Sequence, residues 1–350
     1  MPRLKRVDAS DPGIGRRRRG RGFEYLDEGG RRVSDSDVIR IKSLAIPPAW
    51  TDVWICPSPR GHIQATGTDT AGRKQYRYHD EWRTRRDQEK FDQMVDFARS
   101  LPAMRGLVRR HLRRKEMDRL RVLGCAVRML ELGFFRIGSE EYAAERDTVG
   151  LVTILKRQVA IEGDILHFDY PSKSGRRRVQ SIRDRDVCEV VSRLKGRRQG
   201  TELLAYKEGR RWVDVRSEDV NAYLKDVTGG DFTAKAFRTW NATVLAAVGL
   251  AVSGPGAITS KTARERAIRR VVGEVAHYLG NTPAVSRASY IDPRVFDRFR
   301  CGLTIAGVLP VMGDDGDLGM FHGPVEEAVL DLIAGAESAV IEQAGEFAAA

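Results

Sequence analysis

Lys261 to Gly280 reads KTARERAIRRVVGEVAHYLG. Ala263, Ala267, Val271, Val275 and Leu279 recur at every fourth residue, so one face of an α-helix is apolar along its whole length. Gly280 stands where a residue of left-handed conformation ends such a helix. Asn281-Thr282-Pro283 follows, and then Tyr290, so a phenol sits just beyond a well-formed amphipathic helix. This stretch sets the C-terminal half of the chain as mainly helical.

Outward from it, the pattern changes twice. Downstream, residues 312–323 read as a loop, and Pro324 opens a last helix. Asp314, Asp315 and Asp317 superficially suggest a calcium loop, but the glycine and distal glutamate spacing that such a loop needs is missing. Upstream, helices extend back to about residue 184. Between 151 and 182 the period drops toward two. Val152–Leu155, Val159–Ile161, Ile165–Phe168 and Arg178–Ile182 predict short antiparallel strands, with turns at Glu162-Gly163-Asp164 and Lys173-Ser174-Gly175.

Residues 87–135 are helical in pattern. Met104 to Arg121 carries eight basic residues against Glu116 and Asp118, a face suited either to solvent or to lining a DNA channel. Residues 23–86 read as a small α+β module. Its strands at Trp54–Cys56 and His62–Thr66 flank the turn Pro57–Gly61. A short helix would be capped by Asp35-Ser36-Asp37 and ended by Pro47-Pro48. Residues 1–22 hold eight basic and two acidic residues among few apolar ones and read as a flexible arm. The expected division is thus an arm (1–22), a small N-terminal α+β domain (23–86) and a larger C-terminal domain (87–350), to which the resemblance described below gives DNA-binding and catalytic roles, with a linker near 79–100 that permits opening.

Composition narrows the function. The 350 residues are 41% hydrophobic, enough for a substantial core, and 60 Lys plus Arg against 48 Asp plus Glu give a formal charge of +12. That balance points to a polyanionic partner, because Lys and Arg displace the counterions condensed on phosphates. Cys56, Cys125, Cys188 and Cys301 form no CxxC or CxxH pair, which argues against a zinc site or a disulfide framework and fits a reducing compartment. The N-terminus lacks a secretory apolar stretch, and no run of about 18 apolar residues occurs, so a cytoplasmic protein with no membrane span is expected. No P-loop, HExxH or Gly-x-Ser-x-Gly elbow is present, leaving ATP-driven and metal-hydrolase readings without support.

Six segments, in order, carry a specific resemblance. Ile46-Pro47-Pro48-Ala49-Trp50 and Gly72–Tyr78 look like the N-terminal module of the poxvirus-like and bacterial type IB DNA topoisomerases. Phe135-Arg136-Ile137-Gly138, followed by Thr148-Val149-Gly150-Leu151, resembles that family's first catalytic arginine motif. Tyr170–Gly175 resembles its lysine-bearing β-hairpin, and Lys235-Ala236-Phe237-Arg238-Thr239-Trp240 its second arginine motif. Leu279–Pro283 with Ser289-Tyr290 resembles the segment ending in the nucleophile. The resemblance spans roughly residues 40–300. It implies an α+β fold: a small antiparallel-sheet N-terminal domain and a larger, mainly α-helical catalytic domain with a β-hairpin, together a clamp. It further implies a monomer acting on double-stranded DNA, nucleoid-associated, through a 3′-phosphotyrosyl intermediate, with no cofactor, ATP or metal.

The chemistry is consistent with those residue types. A phenol of pKa about 10 is mostly protonated at neutral pH and needs neighbouring cations to become a nucleophile. Arg136 and Arg238 suit a clamp on the phosphate oxygens, since guanidinium is always charged and bidentate. Lys173 is the candidate general acid for the departing 5′ oxygen. Asn281 stands where many members have histidine; its amide donates a hydrogen bond but does no acid–base work. His277 reads as structural. Gln75, Tyr76, Tyr78, Lys74 and Lys235 match positions that touch DNA in the family. Two other readings stay open: a tyrosine recombinase, although Lys235 stands where recombinases usually carry histidine, and a DNA-binding protein without catalysis.

Overall fold

The computed structural model describes residues 3–138, 148–172, 175–311, 322–336 and 341–343. The chain divides into two compact units, residues 1–91 and 92–350.

The first unit is built on a five-stranded antiparallel sheet in the order β2-β1-β3-β4-β5. Its strands are β1 (Ile14–Arg19), β2 (Gly22–Leu26), β3 (Thr51–Ile55), β4 (Ile63–Thr68) and β5 (Lys74–Tyr78). A small core of Ile14, Ile41, Val53, Ile55 and Ala65 lies between this sheet and helix α1 (Asp35–Ser43). The arginine-rich run expected to be a flexible arm is instead strand β1, paired with β2 along its length and with β3 at Ile14 and Gly15. The physical reason is Arg16. Its guanidinium donates to the carbonyls of Pro47 (3.1 Å) and Trp50 (2.6 Å) and lies 4.2 Å from the Phe23 ring centroid, so this charge organises the proline loop rather than solvent. Helix α1 is capped by Ser34, whose hydroxyl accepts from the Asp37 N–H, not by the acidic triplet after it. Asp35 and Asp37 occupy the first turn, where negative charge suits the helix dipole.

Helix α2 (Asp80–Leu112) runs without a break through the segment expected to be a linker. In the second unit, α3 (Arg119–Leu132) is buried along most of its length and packs with α4 (Arg185–Lys195), α5 (Ser217–Thr228) and α6 (Lys235–Val252). Helix α6 is apolar nearly all round, the pattern of a helix inside a core. Helix α7 (Lys261–Leu279) has the expected apolar face, with Ala267, Val271, Val275 and Leu279 buried, and Gly280 ends it at φ 63°. Short helix α8 (Pro283–Ser289), α9 (Pro293–Arg300) and the last helix α10 (Pro324–Ala334) follow. A three-stranded antiparallel sheet of β6 (Val159–Glu162), β7 (Ile165–Pro171) and β8 (Arg177–Arg183) interrupts the helices as expected. The predicted strand at 152–155 is not one: residues 151–153 and 156–158 form 3-10 turns. The hairpin β9 (Ala205–Glu208) and β10 (Arg211–Asp214) had no clear signal in the sequence.

Five of the eight basic residues from Met104 to Arg121 are ion-paired, while Arg109, Arg110 and Lys115 are exposed. Arg105, Arg113, Arg114, Arg119 and Arg121 pair with Glu131 and Glu326, Asp186, Asp118, Asp219 and Glu189 respectively. No described helix is long and apolar enough to cross a membrane.

Replacing Arg16 with alanine orphans the carbonyls of the proline loop. We expect a loss of roughly 1–3 kcal/mol from the first unit, read as a lower denaturation midpoint, with no change in far-ultraviolet helical signal.

Candidate active site

The site forms around the N-terminal turns of α6. Arg238 is 4% exposed. One terminal nitrogen donates to the carbonyl of Phe134 and the other to that of Leu279 at 2.8 Å. A single side chain therefore joins the segment leaving α3 to the last turn of α7. Its Nε is buried without a hydrogen-bond partner. Burial, then the nearby Arg136 charge, lower its pKa to about 10, still well above neutrality.

Arg136 sits two residues past Phe134 on an extended segment. Phe135 beside it is fully buried, edge-on to Phe168 at 4.9 Å. The segment is held by backbone bonds from Leu151 N–H to the Arg136 carbonyl (2.8 Å) and from Val152 N–H to that of Ile137 (2.9 Å). These bonds require two glycines. Gly138 takes φ 86°, and a Cβ on Gly150 would lie 2.3 Å from the Gly138 Cα, so neither tolerates a side chain. Arg136 then donates to Asn281 Oδ1 at 2.6 Å and to the Gly280 carbonyl at 3.3 Å. Because a guanidinium only donates, Oδ1 must face it. The Asn281 Nδ2 is left buried and without a partner.

Tyr290 closes helix α8, its N–H donating to the Ser286 carbonyl at 3.0 Å. Thr243 on α6 ties the next residues down, its hydroxyl accepting from Asp292 N–H at 3.1 Å. The Tyr290 ring centroid lies 5.4 Å from the Arg238 guanidinium carbon and 6.0 Å from Lys235 Nζ. Burial pushes the phenol pKa up, but Arg238, Lys235 and Arg136 together outweigh it and hold the group below its ordinary value. Arg136, Arg238, Asn281, Tyr290 and Lys235, spread over 155 positions of sequence, are thus brought together.

Lys173 lies outside the described residues. The strands flanking it are in place, and Ser172 N–H donates to the Arg176 carbonyl at 2.8 Å. His277 is exposed and contributes its carbonyl, at 3.5 Å, to Arg178. Arg178 is the residue sequence reasoning undervalued. From β8 it donates to the carbonyls of Tyr278 and His277, docking the hairpin on the end of α7 beside Gly280. Nothing in the sequence separates it from its neighbours Arg176 and Arg177 except strand parity, which turns it inward while Arg177 pairs with exposed Asp169.

In the first unit, the expected DNA-contact stretch occupies β5, an edge strand. Lys74, Tyr76 and Tyr78 share its exposed face, as period two requires. The two tyrosine rings stack at 5.8 Å with planes 12° apart, and Lys74 Nζ lies 5.9 Å from the Tyr76 ring. Gln75 falls on the other face, its amide donating to Asp69 Oδ2 at 2.9 Å. Asp69 also binds Arg73, which holds the carboxyl at a pKa of about 2.

A mainly helical unit that converges two guanidiniums and a lysine on one partly buried phenol offers a cationic site suited to an anionic substrate. Comparison with known proteins is more specific. The family described as the catalytic core of eukaryotic DNA topoisomerase I matches residues 79–298, and that described as the N-terminal domain of bacterial DNA topoisomerase IB matches residues 22–69. The chain is 31% identical over 286 residues to DNA topoisomerase 1B of Acanthamoeba polyphaga mimivirus, covering 80% of this chain and 85% of that protein. It is 24% identical over 264 residues to DNA topoisomerase 1 of Rabbit fibroma virus (strain Kasza), covering 73% and 80%. The chain belongs to the type IB DNA topoisomerase family, and its α+β fold and DNA topoisomerase activity follow from that membership.

Two substitutions test the geometry. Gly150→Ala forces the Arg136 segment away and should lower activity on the order of a hundredfold while leaving DNA affinity in place, as measured by plasmid relaxation and by fluorescence anisotropy. Lys235→Gln removes a charge that favours the phenolate, so the rising limb of the cleavage rate against pH should move to higher pH.

Proposed function

We propose that Tyr290 is the nucleophile of a nicking and closing reaction on duplex DNA. Its oxygen attacks a backbone phosphorus, forming a 3′-phosphotyrosyl bond as the bond to the 5′ oxygen breaks. The phenol gives its proton to solvent water, and the 5′ oxygen leaves as a hydroxyl on receiving a proton from the Lys173 ammonium, the role we give that residue. Torsion in the duplex turns the free end, and attack of the 5′-hydroxyl on the phosphotyrosine reverses the chemistry. The covalent bond conserves the energy of the phosphodiester, so ATP is not needed.

The observation that carries this reading is the Arg238 guanidinium held over the Tyr290 ring, with Arg136 and Lys235 also lowering the phenol pKa. In this proposal the same charges neutralise the equatorial oxygens of the five-coordinate transition state, work that a metal ion does in other phosphoryl-transfer sites. Asn281 adds the donor Nδ2, pointed by its bond from Arg136, to a nonbridging oxygen. Arg136 thereby acts both on the phosphate and on the orientation of the amide.

For binding, the proposed contacts are Lys235 near the scissile phosphate and, in the first unit, Lys74, Tyr76 and Tyr78 on the exposed edge strand. Gln75 joins them only by releasing Asp69. The domain limits proposed for these roles are an N-terminal module up to about residue 86 and a catalytic domain beyond it, acting as a monomer on cytoplasmic, nucleoid-associated DNA.

The test is a denaturing gel after incubation with end-labelled duplex. Wild type gives a protein–DNA adduct on the 3′ end, and Tyr290→Phe gives none while binding the same duplex. Supercoiled plasmid should relax without ATP and in the presence of a chelator, and without paired recognition sites. An adduct with Tyr290→Phe, or strand exchange in place of relaxation, overturns the reading.

A further inference from the structure

Helix α10 lies beyond both matched segments, which end at residues 69 and 298, yet one of its residues reaches the site's framework. Glu326, in the first turn, is 8% exposed. Its carboxylate accepts from Arg105 at both oxygens (2.7 and 2.8 Å), from the Trp240 indole N–H (2.9 Å) and from the Gly323 N–H (3.3 Å). Arg105 donates onward to Glu131, at the end of α3 and three residues before Phe134. Asn241 donates to the Glu131 carbonyl at 2.9 Å. Arg238 closes the ring by donating to the Phe134 carbonyl.

The circuit therefore runs from Arg238 through its own helix to Trp240, then to Glu326, Arg105, Glu131 and Phe134, and back to Arg238. Two carboxylates hold it together. Glu131 is almost wholly buried; burial alone would raise its pKa, but Arg128 and Arg105 hold it below the ordinary value, so it is ionised. His322 lies 3.8 Å from the same carboxylate, and Arg128 also binds Asp184. These groups, with Arg105, are the charges that face Glu326 and its partner. None touches Tyr290.

We propose that Glu326 is a positioning residue for the reaction. By fixing Trp240 against Arg105 it sets the height of α6 relative to the end of α3, and so the place of Arg238 over the Tyr290 ring. The C-terminal helix is then part of the catalytic framework. This rests on the reading of Arg238 and Tyr290 given above. A carboxylate is the group the geometry demands, because it must accept from a two-pronged guanidinium and an indole at once. The docking of α10 itself depends on other groups, the buried Val325, Ala328, Val329, Leu332 and Ile333.

Glu326→Gln keeps the shape and the acceptor for Trp240 but loses the paired acceptor for Arg105. In single-turnover cleavage of a nicked duplex that traps the adduct, the rate should fall on the order of tenfold to a hundredfold, with DNA affinity within about twofold of wild type. The limb of the pH profile should move upward, since a displaced Arg238 favours the phenolate less. Added to Arg238→Lys, the same substitution should cost little more, because both act on one contact. Trp240→Phe, which deletes only the indole N–H of the circuit, should lower the rate in the same direction and serves if the glutamine variant does not fold. An unchanged rate, or a loss that adds fully to Arg238→Lys and follows the melting temperature, overturns the proposal. Tyr290→Phe separates the two claims. An adduct there removes the site reading, whereas no adduct there with wild-type cleavage by Glu326→Gln removes only the role of Glu326.

Discussion

One buried guanidinium holds this site together. Arg238 ties the carbonyl of Phe134 to that of Leu279, so the two segments that carry Arg136 and Asn281 are both bonded to it, and Arg136 then bonds Asn281 directly. A guanidinium suits this because it has five donors in a rigid plane and stays charged when buried. Two donors are spent on backbone, and the charge remains to act on the phenol beside it. Removing a cation from water is costly, and the site offsets that cost with fixed carbonyl dipoles and a polarisable ring. The same residue is therefore framework and electrostatic source.

The phenol is placed by the same economy of elements. Helix α6 contributes Lys235 and Arg238 from its N-terminal end and Thr243 from its third turn, and Thr243 bonds the backbone just past Tyr290. The distance between phenol and charge is then set within one rigid helix and its neighbour rather than across loops. Burial raises the phenol pKa and three cations lower it, with the cations prevailing. The result is a group biased toward its reactive form while its negative charge stays compensated.

Arginine does two kinds of work in this chain, and net charge does not distinguish them. Arg16 caps the carbonyls of the proline loop, Arg121 pairs with Glu189 at 3% exposure, and Arg197 bonds the carbonyls of Leu203 and Glu202 from within the core. The charge of Arg121 is cancelled by its partner, and that of Arg16 is turned to backbone carbonyls rather than presented to a polyanion. The surplus available for DNA is smaller than composition implies and lies on fewer surfaces.

The sequence by itself determined the alternation of helical and strand periods, the stop at Gly280, the α+β class and the identity of the residues that meet at the site, because these depend on local spacing and on motifs a few residues long. It did not reveal that Arg16 belongs to a strand, that five arginines of the basic segment at 104–121 are ion-paired, or that Val152–Leu155 turns rather than extends, since most of the partners lie far along the chain. Only the tertiary structure decided which of many arginines are buried, that Gln75 bonds Asp69 on the less exposed face of β5, and how a carboxylate at 326 reaches Arg105, 221 positions away. The physical reason is common to all three. An arginine's or glutamine's role is set by the acceptors within hydrogen-bond reach, and long-range packing alone chooses those acceptors.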